Sequence, residues 1–198
     1  MLMAFLALGF VTSCETYKVT DPEMTAVADF DGSWLCFGVN EDNDSTAFVV
    51  KITNTTSNEG NRMWMNISDL SKNLAYQFID GIVFEVNCNV NDLTFNCENS
   101  ATTSPTRTWN PWYDQNYYTL QWYITRVDHS PVGKASIKDG KIYKEAIETR
   151  GNYKADAIEF TFIREDDGEE VETWHVTGMK NTGFYEDIKE YSDYVYEM

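Results

Sequence analysis

Histidine is scarce in this sequence: only two of the 198 residues, His129 and His175, could act as the base of a nucleophilic catalyst. His129 lies between Asp128 and Ser130, but adjacent residues of a strand point to opposite faces, so these three cannot form one relay. Pro131 follows directly, so we expect His129 at the surface, and we expect His175 on the solvent face of its strand. The sequence also lacks the Gly-x-Ser-x-Gly and His-Glu-x-x-His motifs. No catalytic residue is therefore indicated.

Basic residues are also few, with 15 Lys and Arg against 32 Asp and Glu, which gives a net charge of −17. Such an excess repels phosphate backbones and anionic headgroups, so it argues against nucleic-acid binding and against electrostatic docking on membranes. The acidic groups at residues 42–44 and 166–170 lack the pattern of a 12-residue calcium loop and are interpreted as solvated turns. No metal ion or cofactor is expected.

The uncharged apolar run at the start of the chain is shorter than the about 20 residues that a transmembrane helix needs. It ends in Val11-Thr12-Ser13-Cys14, and no Lys or Arg precedes it. Small residues before a cysteine are typical of a secretory signal with its cleavage site at that point. The arrangement resembles the bacterial lipoprotein signal, in which the cysteine becomes the lipidated first residue. We therefore expect residues 1–14 to be a signal ending at the lipidated Cys14, which would carry acyl chains such as palmitate. Residues 15–29 are then a flexible tether to the cell envelope, at the outer membrane.

Three cysteines remain after Cys14, namely Cys36, Cys88 and Cys97. Cys88 and Cys97 lie on the two arms of a predicted hairpin and could form a disulfide in an exported protein. The odd count favours buried free thiols instead. Both alternatives remain open at this point.

Apolar residues alternate with polar ones along much of the chain, and no long run has the helical period of 3.6. The clearest alternation runs from Tyr76 to Cys88 and, after a turn at residues 89–92, from Leu93 to Cys97, which predicts a hairpin with one buried face. Other strands are predicted at residues 30–37, 46–53, 62–68, 158–162 and 174–177. Residues 133–147 are predicted as two short strands around the turn dipeptide Asp139-Gly140, and residues 100–111 as a loop. About eight short strands predict an all-β domain, an antiparallel barrel or sandwich, over residues 30–198 with a short C-terminal tail.

Gly32-Ser33-Trp34, on the first predicted strand, resembles the start of calycin barrels, the lipocalins and their relatives. Five further stretches are similar, in order and spacing, to a family of small bacterial lipoproteins described as lipid-binding putative hydrolases: Ile52-Thr53-Asn54-Thr55, Met63-Trp64-Met65, Asn91-Asp92-Leu93-Thr94-Phe95, Ala155-Asp156-Ala157-Ile158-Glu159-Phe160 and Thr182-Gly183-Phe184-Tyr185-Glu186-Asp187. The resemblance covers most of residues 30–187. It implies an up-and-down, calycin-like barrel that binds a lipid or another small hydrophobic or amphipathic molecule.

The sequence departs from the family pattern at Asn66 and Ile67, where acidic residues are expected, and at Asn181, where a basic one is expected. The aromatic-rich insertion near residues 100–131 is also longer than is typical. These departures leave the inferred fold intact but prevent any transfer of site residues.

Large aromatic side chains on the predicted strands are the candidate ligand-binding residues: Trp34, Trp64, Phe84, Phe95 and Trp174. They either line a ligand cavity or fill the barrel as its core, since aromatic residues dominate small cores whatever the function.

Seven Trp and Tyr residues lie within residues 109–123, including Trp112 and Trp122. Aromatic residues with one polar end are typical of recognition surfaces, so this segment is either a loop that binds a glycan or a partner protein, or ordinary packing on the barrel. The sequence thus favours a ligand-binding barrel, keeps a surface interaction module as the alternative, and gives a hydrolase the least support.

Overall fold

Eight antiparallel β-strands form a closed barrel in the computed structural model, which describes residues 24–69, 81–109, 124–166, 171–184 and 186–187. The strands are β1 (Gly32–Asn40), β2 (Ser45–Asn54), β3 (Arg62–Asp69), β4 (Ile82–Asn89), β5 (Thr94–Trp109), β6 (Ile124–Glu148), β7 (Lys154–Asp166) and β8 (Glu172–Lys180). Each strand pairs with the next along the chain, and β8 pairs with β1. The predicted all-β, up-and-down barrel of about eight strands is confirmed. No helix in these residues is long and apolar enough to cross a bilayer.

Strand β4 shows how the alternation in sequence becomes the inside and outside of the barrel. Ile82, Phe84, Val86 and Cys88 are buried, and the residues between them are half-buried or exposed. Directly paired residues of an antiparallel sheet share a face. The pairing of Phe84 with Met65 on β3, and of Cys88 with Phe95 on β5, therefore extends one apolar interior across neighbouring strands.

Strands β5 and β6 are longer than the sequence pattern predicts. Residues 100–109, predicted as a loop, are the continuation of β5. Their backbone pairs with β6 from Ser100 to Trp109, and their threonines favour an extended chain. The dipeptide Asp139-Gly140, predicted as a hairpin turn, lies inside β6. The pairing with β7 shifts there from Lys138 to Lys141, and Asp139 has a φ of 55°. The Asp-Gly pair thus forms a β-bulge that bends one long strand instead of joining two short ones.

The up-and-down path places the chain connections alternately at two ends of the barrel. The end called here the base holds the residues before β1, the β2–β3, β4–β5 and β6–β7 connections, and the residues after β8. The opposite end, called the rim, holds the β1–β2 turn at residues 41–44 and the final residues of β3, β5 and β7. Two hydrogen bonds join elements at the base: Asn181 N–H donates to the Ser33 carbonyl at 2.8 Å, and Gly151 N–H donates to Asp187 Oδ1 at 3.0 Å.

Residues 24–29, predicted as the end of the tether, pack against the base of the barrel. Val27 and Phe30 are fully buried in the core. The Phe30 ring meets the Phe95 ring edge-on, with 6.2 Å between centroids, and the Phe30 carbonyl accepts a 3.0 Å hydrogen bond from Trp34 Nε1. The ordered domain therefore begins before residue 30, because this turn closes the apolar base.

The segment after β8 is held to the base by one buried carboxylate. Asp187 accepts hydrogen bonds from Gly151 N–H at 3.0 Å and from the Thr182 hydroxyl at 2.8 Å. Beside it, Phe184 stacks on Tyr153 with 5.5 Å between ring centroids. Thr182, Phe184 and Asp187 thus join the segment after β8 to the β6–β7 connection; the remaining residues of the predicted C-terminal tail, apart from Glu186, lie outside the described part of the chain.

Replacement of Asp187 by asparagine is expected to destabilise the protein at neutral pH only. Burial by itself would raise the pKa of Asp187, but the hydrogen bonds donated by Gly151, Thr182 and Thr149 outweigh it and hold the pKa below its ordinary value. Such a carboxylate stabilises the folded state above the ordinary carboxyl pKa of about 3.9, and this contribution is lost as the pH falls through the lowered pKa. Asp187→Asn should lower the melting temperature by a few degrees at pH 7 and converge with the parent chain in strong acid. Glu186→Gln, at the exposed neighbouring position, is the control, and equal melting temperatures at pH 7 would contradict this role for Asp187.

Candidate ligand-binding site

The base half of the barrel interior is filled by large side chains. These residues are at most 2 % exposed, and they come from the N-terminal turn and from every strand but β4 and β8: Phe30, Trp34, Ile52, Met63, Met65, Phe95, Ile137, Ile142, Ile158 and Phe160. Phe95 also meets Phe160, with 5.7 Å between ring centroids. This half is a packed hydrophobic core, and it supplies much of the burial that stabilises the fold.

Two phenylalanine rings meet across the middle of the interior. Phe84 of β4 and Phe162 of β7 lie nearly parallel, with 6.2 Å between their centroids and 9° between their planes. Neither strand neighbours the other in the barrel, so the rings reach each other through the interior. They form a floor between the packed base half and the half that leads to the rim.

In the rim half, above this floor, small residues occupy interior positions on several strands. On one wall Gly38 pairs with both Thr46 and Val176, and on the opposite wall Thr102 pairs with Gly133, two residues from Ala135. Thr46 and Thr102 are buried although they lie toward the rim. The described interior above the Phe84–Phe162 floor thus includes glycine, alanine and threonine on several strands, together with the buried Ile82 of β4.

Two polar side chains of the described rim half, Thr102 and Arg164, lie on its inner face. Thr102 is 1 % exposed, and its hydroxyl has no hydrogen-bond partner; among buried side-chain oxygens of the described residues, Asp31 Oδ1 is the other such atom. An unpaired buried hydroxyl destabilises a fold by about 1–3 kcal/mol. Arg164 pairs with the buried Ala135 and follows Phe162 by two residues, so the pleat places it on the inner face.

Trp174 lies at the rim on β8, which neighbours the strand of Arg164. It pairs with Phe162, packs against the core while half-buried, and its Nε1 donates to Glu172 Oε2 at 3.5 Å. An indole, a guanidinium and a hydroxyl thus surround an apolar interior, an arrangement suited to a molecule with an apolar body and a polar end.

The structure describes five of the seven sequence-predicted ligand residues, and the predicted lipidation site Cys14 lies outside it. Trp34, Phe84 and Phe95 are buried inside the barrel, and Trp174 is at the rim. The expectation that Trp64 faces the interior is corrected, because Trp64 is 39 % exposed on the outer face of β3 and its neighbours Met63 and Met65 fill the core. Cys14, Trp112 and Trp122 lie outside the described residues.

A protein-family model described as lipid-binding putative hydrolase matches residues 19–185. The chain belongs to this family. The match spans the whole barrel, and the apolar interior agrees with the lipid-binding part of the family description. A search of curated proteins finds no match to this chain.

The hydrolase part of the family description has no counterpart in the described histidines and cysteines. His175 is exposed, as expected, and its Nδ1 lies 3.2 Å from the Thr161 hydroxyl. His129 lies within strand β6, opposite Pro105. In the part of the chain that the structure describes, no group of three His, Cys, Asp or Glu residues could hold a metal ion.

The three described cysteines are free and buried, which decides between the two alternatives for Cys88 and Cys97. Burial raises the pKa of Cys97 to about 11 and raises the pKa of Cys36 further. Burial, followed by the nearby Asp31 carboxylate, also raises the pKa of Cys88. Thiols with raised pKa values stay protonated and are poor nucleophiles, so these cysteines are core residues.

Thr102 and Arg164 were missed by the sequence analysis for different reasons. Thr102 lies in a segment predicted as a loop. In addition, the bulge at Asn99, where φ is 50°, shifts the alternation of inward and outward residues along β5, so the sequence pattern does not show which face Thr102 occupies. The inward position of Arg164 could have been predicted, because the alternation of the apolar residues Ile158, Phe160 and Phe162 continues to residue 164.

Proposed function

We propose that the barrel binds a small hydrophobic or amphipathic molecule, such as a lipid, in the rim half of its interior. The observation that carries this proposal is the contrast across the Phe84–Phe162 floor, with large side chains packed below it and the small residues Gly38, Gly133 and Ala135 above it. Membership of a lipid-binding family supports the same conclusion.

In this proposal the apolar part of the ligand lies on the two phenylalanine rings, and its polar end lies near Thr102, Arg164 and Trp174. Each methylene removed from water contributes about 0.8 kcal/mol, so a chain of several carbons supplies most of the affinity. The polar end gives the Thr102 hydroxyl the hydrogen-bond partner that it lacks inside the protein.

Replacement of Thr102 by valine is expected to weaken ligand binding about tenfold, because one hydrogen bond contributes about 0.5–1.5 kcal/mol. Valine keeps the shape of threonine, so folding should be unchanged or slightly more stable once the unpaired hydroxyl is gone. Native mass spectrometry of protein from its own host would detect a co-purifying molecule, and calorimetric titration with monodecanoylglycerol would give the affinity.

The matched control is Thr103→Val. Thr103 is adjacent in sequence but pairs with Val83, which lies between the inward-facing Ile82 and Phe84 and therefore faces outward. Its replacement should leave binding unchanged. Equal affinities of the two variants, or a protein that binds neither a host molecule nor the probe, would contradict the proposed site.

We also propose that the protein is a lipoprotein, anchored to the outer membrane of the cell envelope through an acylated Cys14. The apolar run that ends in Val11-Thr12-Ser13-Cys14 supports this. Growth with labelled palmitate should label the chain, and Cys14→Ser should abolish the label and release the protein from the membrane fraction. An unlabelled parent chain would remove the basis for this placement.

A further inference from the structure

We infer that the base of the barrel is a bilayer-contacting surface, on which Tyr153 and Phe184 enter the interface of a zwitterionic membrane. This inference rests on the proposed anchorage through Cys14. It concerns the end of the barrel opposite to the proposed ligand entrance, and it fixes the direction in which the rim points.

Tyr153 and Phe184 form a rigid, exposed aromatic platform. Their rings stack with 5.5 Å between centroids and 10° between planes, yet Tyr153 is 59 % exposed and Phe184 is 52 % exposed. Tyr153 N–H donates to the Thr149 hydroxyl at 3.2 Å, and Asp187 ties the two segments together. Tyrosine is enriched at membrane interfaces, where its ring is buried and its hydroxyl remains wet, and the stacked Phe184 ring adds apolar surface beside it.

The chain leaves the described domain at the same end. Met24, which is 73 % exposed, precedes the turn that closes the base, and only residues 15–23 separate it from Cys14. Nine residues span about 30 Å when fully extended and about 17 Å as a flexible coil. The rim is farther away by the height of β1, about 20–25 Å for nine residues tilted as barrel strands are. An acyl chain on Cys14 therefore holds the base, not the rim, next to the bilayer.

Charged groups lie at both ends of the barrel. At the base Lys144 pairs with Asp29 at 2.8 Å and with Asp156 at 3.0 Å, and Arg62 pairs with Glu59 and Glu85. At the rim the β1–β2 turn presents three exposed carboxylates, from Glu41, Asp42 and Asp44. Each of these base cations pairs with two carboxylates, and Asp92, Glu145 and Glu148 are also exposed at the base, so both ends are acidic and charge does not set the orientation.

The test uses the chain as signal cleavage would leave it, beginning at Cys14, with one myristoyl chain attached to that thiol through a maleimide. The other cysteines are buried, so the reaction is confined to Cys14. A single acyl chain binds membranes only marginally, with a constant of about 10⁴ M⁻¹, so any contribution from the protein surface is measurable. Partitioning onto phosphatidylcholine vesicles is then measured by sedimentation.

The double variant Tyr153→Ser/Phe184→Ser should lower the partition coefficient about tenfold or more, because about half of two aromatic surfaces no longer enters the interface. The matched control, Val39→Ser/Val171→Ser, removes two exposed apolar side chains toward the rim and should change nothing. An unchanged coefficient for the base variant, or an equal loss for the rim variant, would overturn the inference.

Hydrogen exchange on the unmutated chain gives a second readout that does not depend on the stability of any variant. Attachment to vesicles should slow amide exchange at residues 149–153 and 182–184 and leave residues 41–44 unchanged; the reverse pattern would overturn the inference. Because the acyl chain is attached chemically, neither result depends on whether cells lipidate Cys14. Ligand binding is measured in solution without vesicles, so a failure of the proposed ligand site is distinguishable from a failure of the proposed membrane contact.

Discussion

Replacement of Trp34 by alanine is expected to lower the free energy of unfolding by about 3–5 kcal/mol, the range for removing a large aromatic side chain from a core. Trp34 is fully buried, the Lys180 ammonium lies 5.4 Å from its ring centroid, and its indole N–H donates to the Phe30 carbonyl. Alanine would leave a cavity at the base and an unpaired buried carbonyl. Urea unfolding followed by far-ultraviolet circular dichroism measures the change.

Trp64→Ala is the matched control, since it removes the same side chain from a strand two positions away in the barrel. Trp64 is 39 % exposed on the outer face, so we expect a loss of no more than about 1.5 kcal/mol. Trp34→Phe should fall between the two, because it keeps a ring but loses the hydrogen bond. Similar losses for Trp34→Ala and Trp64→Ala would mean that the faces of β1 and β3 are wrongly assigned.

Replacement of Gly140 by alanine is expected to destabilise the protein by about 3 kcal/mol, at the upper end for overpacked cores. A Cβ atom at this position would lie 2.4 Å from the Phe95 carbonyl oxygen and 2.5 Å from the Phe95 ring. The ring cannot move away easily, because it also packs against Phe30 and Phe160. The β5–β6 pairing would have to open at the bulge.

Gly60→Ala is the control for that experiment. The nearest atoms to a Cβ at Gly60 are 3.8 Å away, in Ala26, so the methyl group fits. We expect a change within about 0.5 kcal/mol, or a small gain in stability from a stiffer unfolded chain. A Gly140→Ala variant as stable as Gly60→Ala would contradict the close approach of Phe95 to β6.

The barrel and part of its interior follow from the sequence because strict alternation fixes which residues share a face. The inward positions of Phe84 on β4 and Phe95 on β5 are of this kind. So is the outward position of His175 on β8. The family resemblance rested on stretches that prove structural, such as residues 182–187, which fasten the chain end to the base.

The wrong predictions have two causes. In some strands one extra residue shifts which positions face inward, and in others the hydropathy pattern does not alternate. Asp139-Gly140 has the composition of a turn, and only the pairing of β6 with both neighbours shows that it is a bulge. Trp64 is a large apolar residue between two methionines, so hydropathy alone does not assign its face. Thr102 enters the site only because the bulge at Asn99 resets the alternation of β5.

The stacked rings of Phe84 and Phe162 separate the part of the interior that stabilises the fold from the part that is proposed to bind the ligand. Substitutions beneath them act on the core that keeps the chain folded, whereas substitutions above them act on small residues that contribute little to it. We therefore expect family members to retain the lower residues and to diversify the upper ones, so that new ligand preferences evolve without loss of a foldable scaffold.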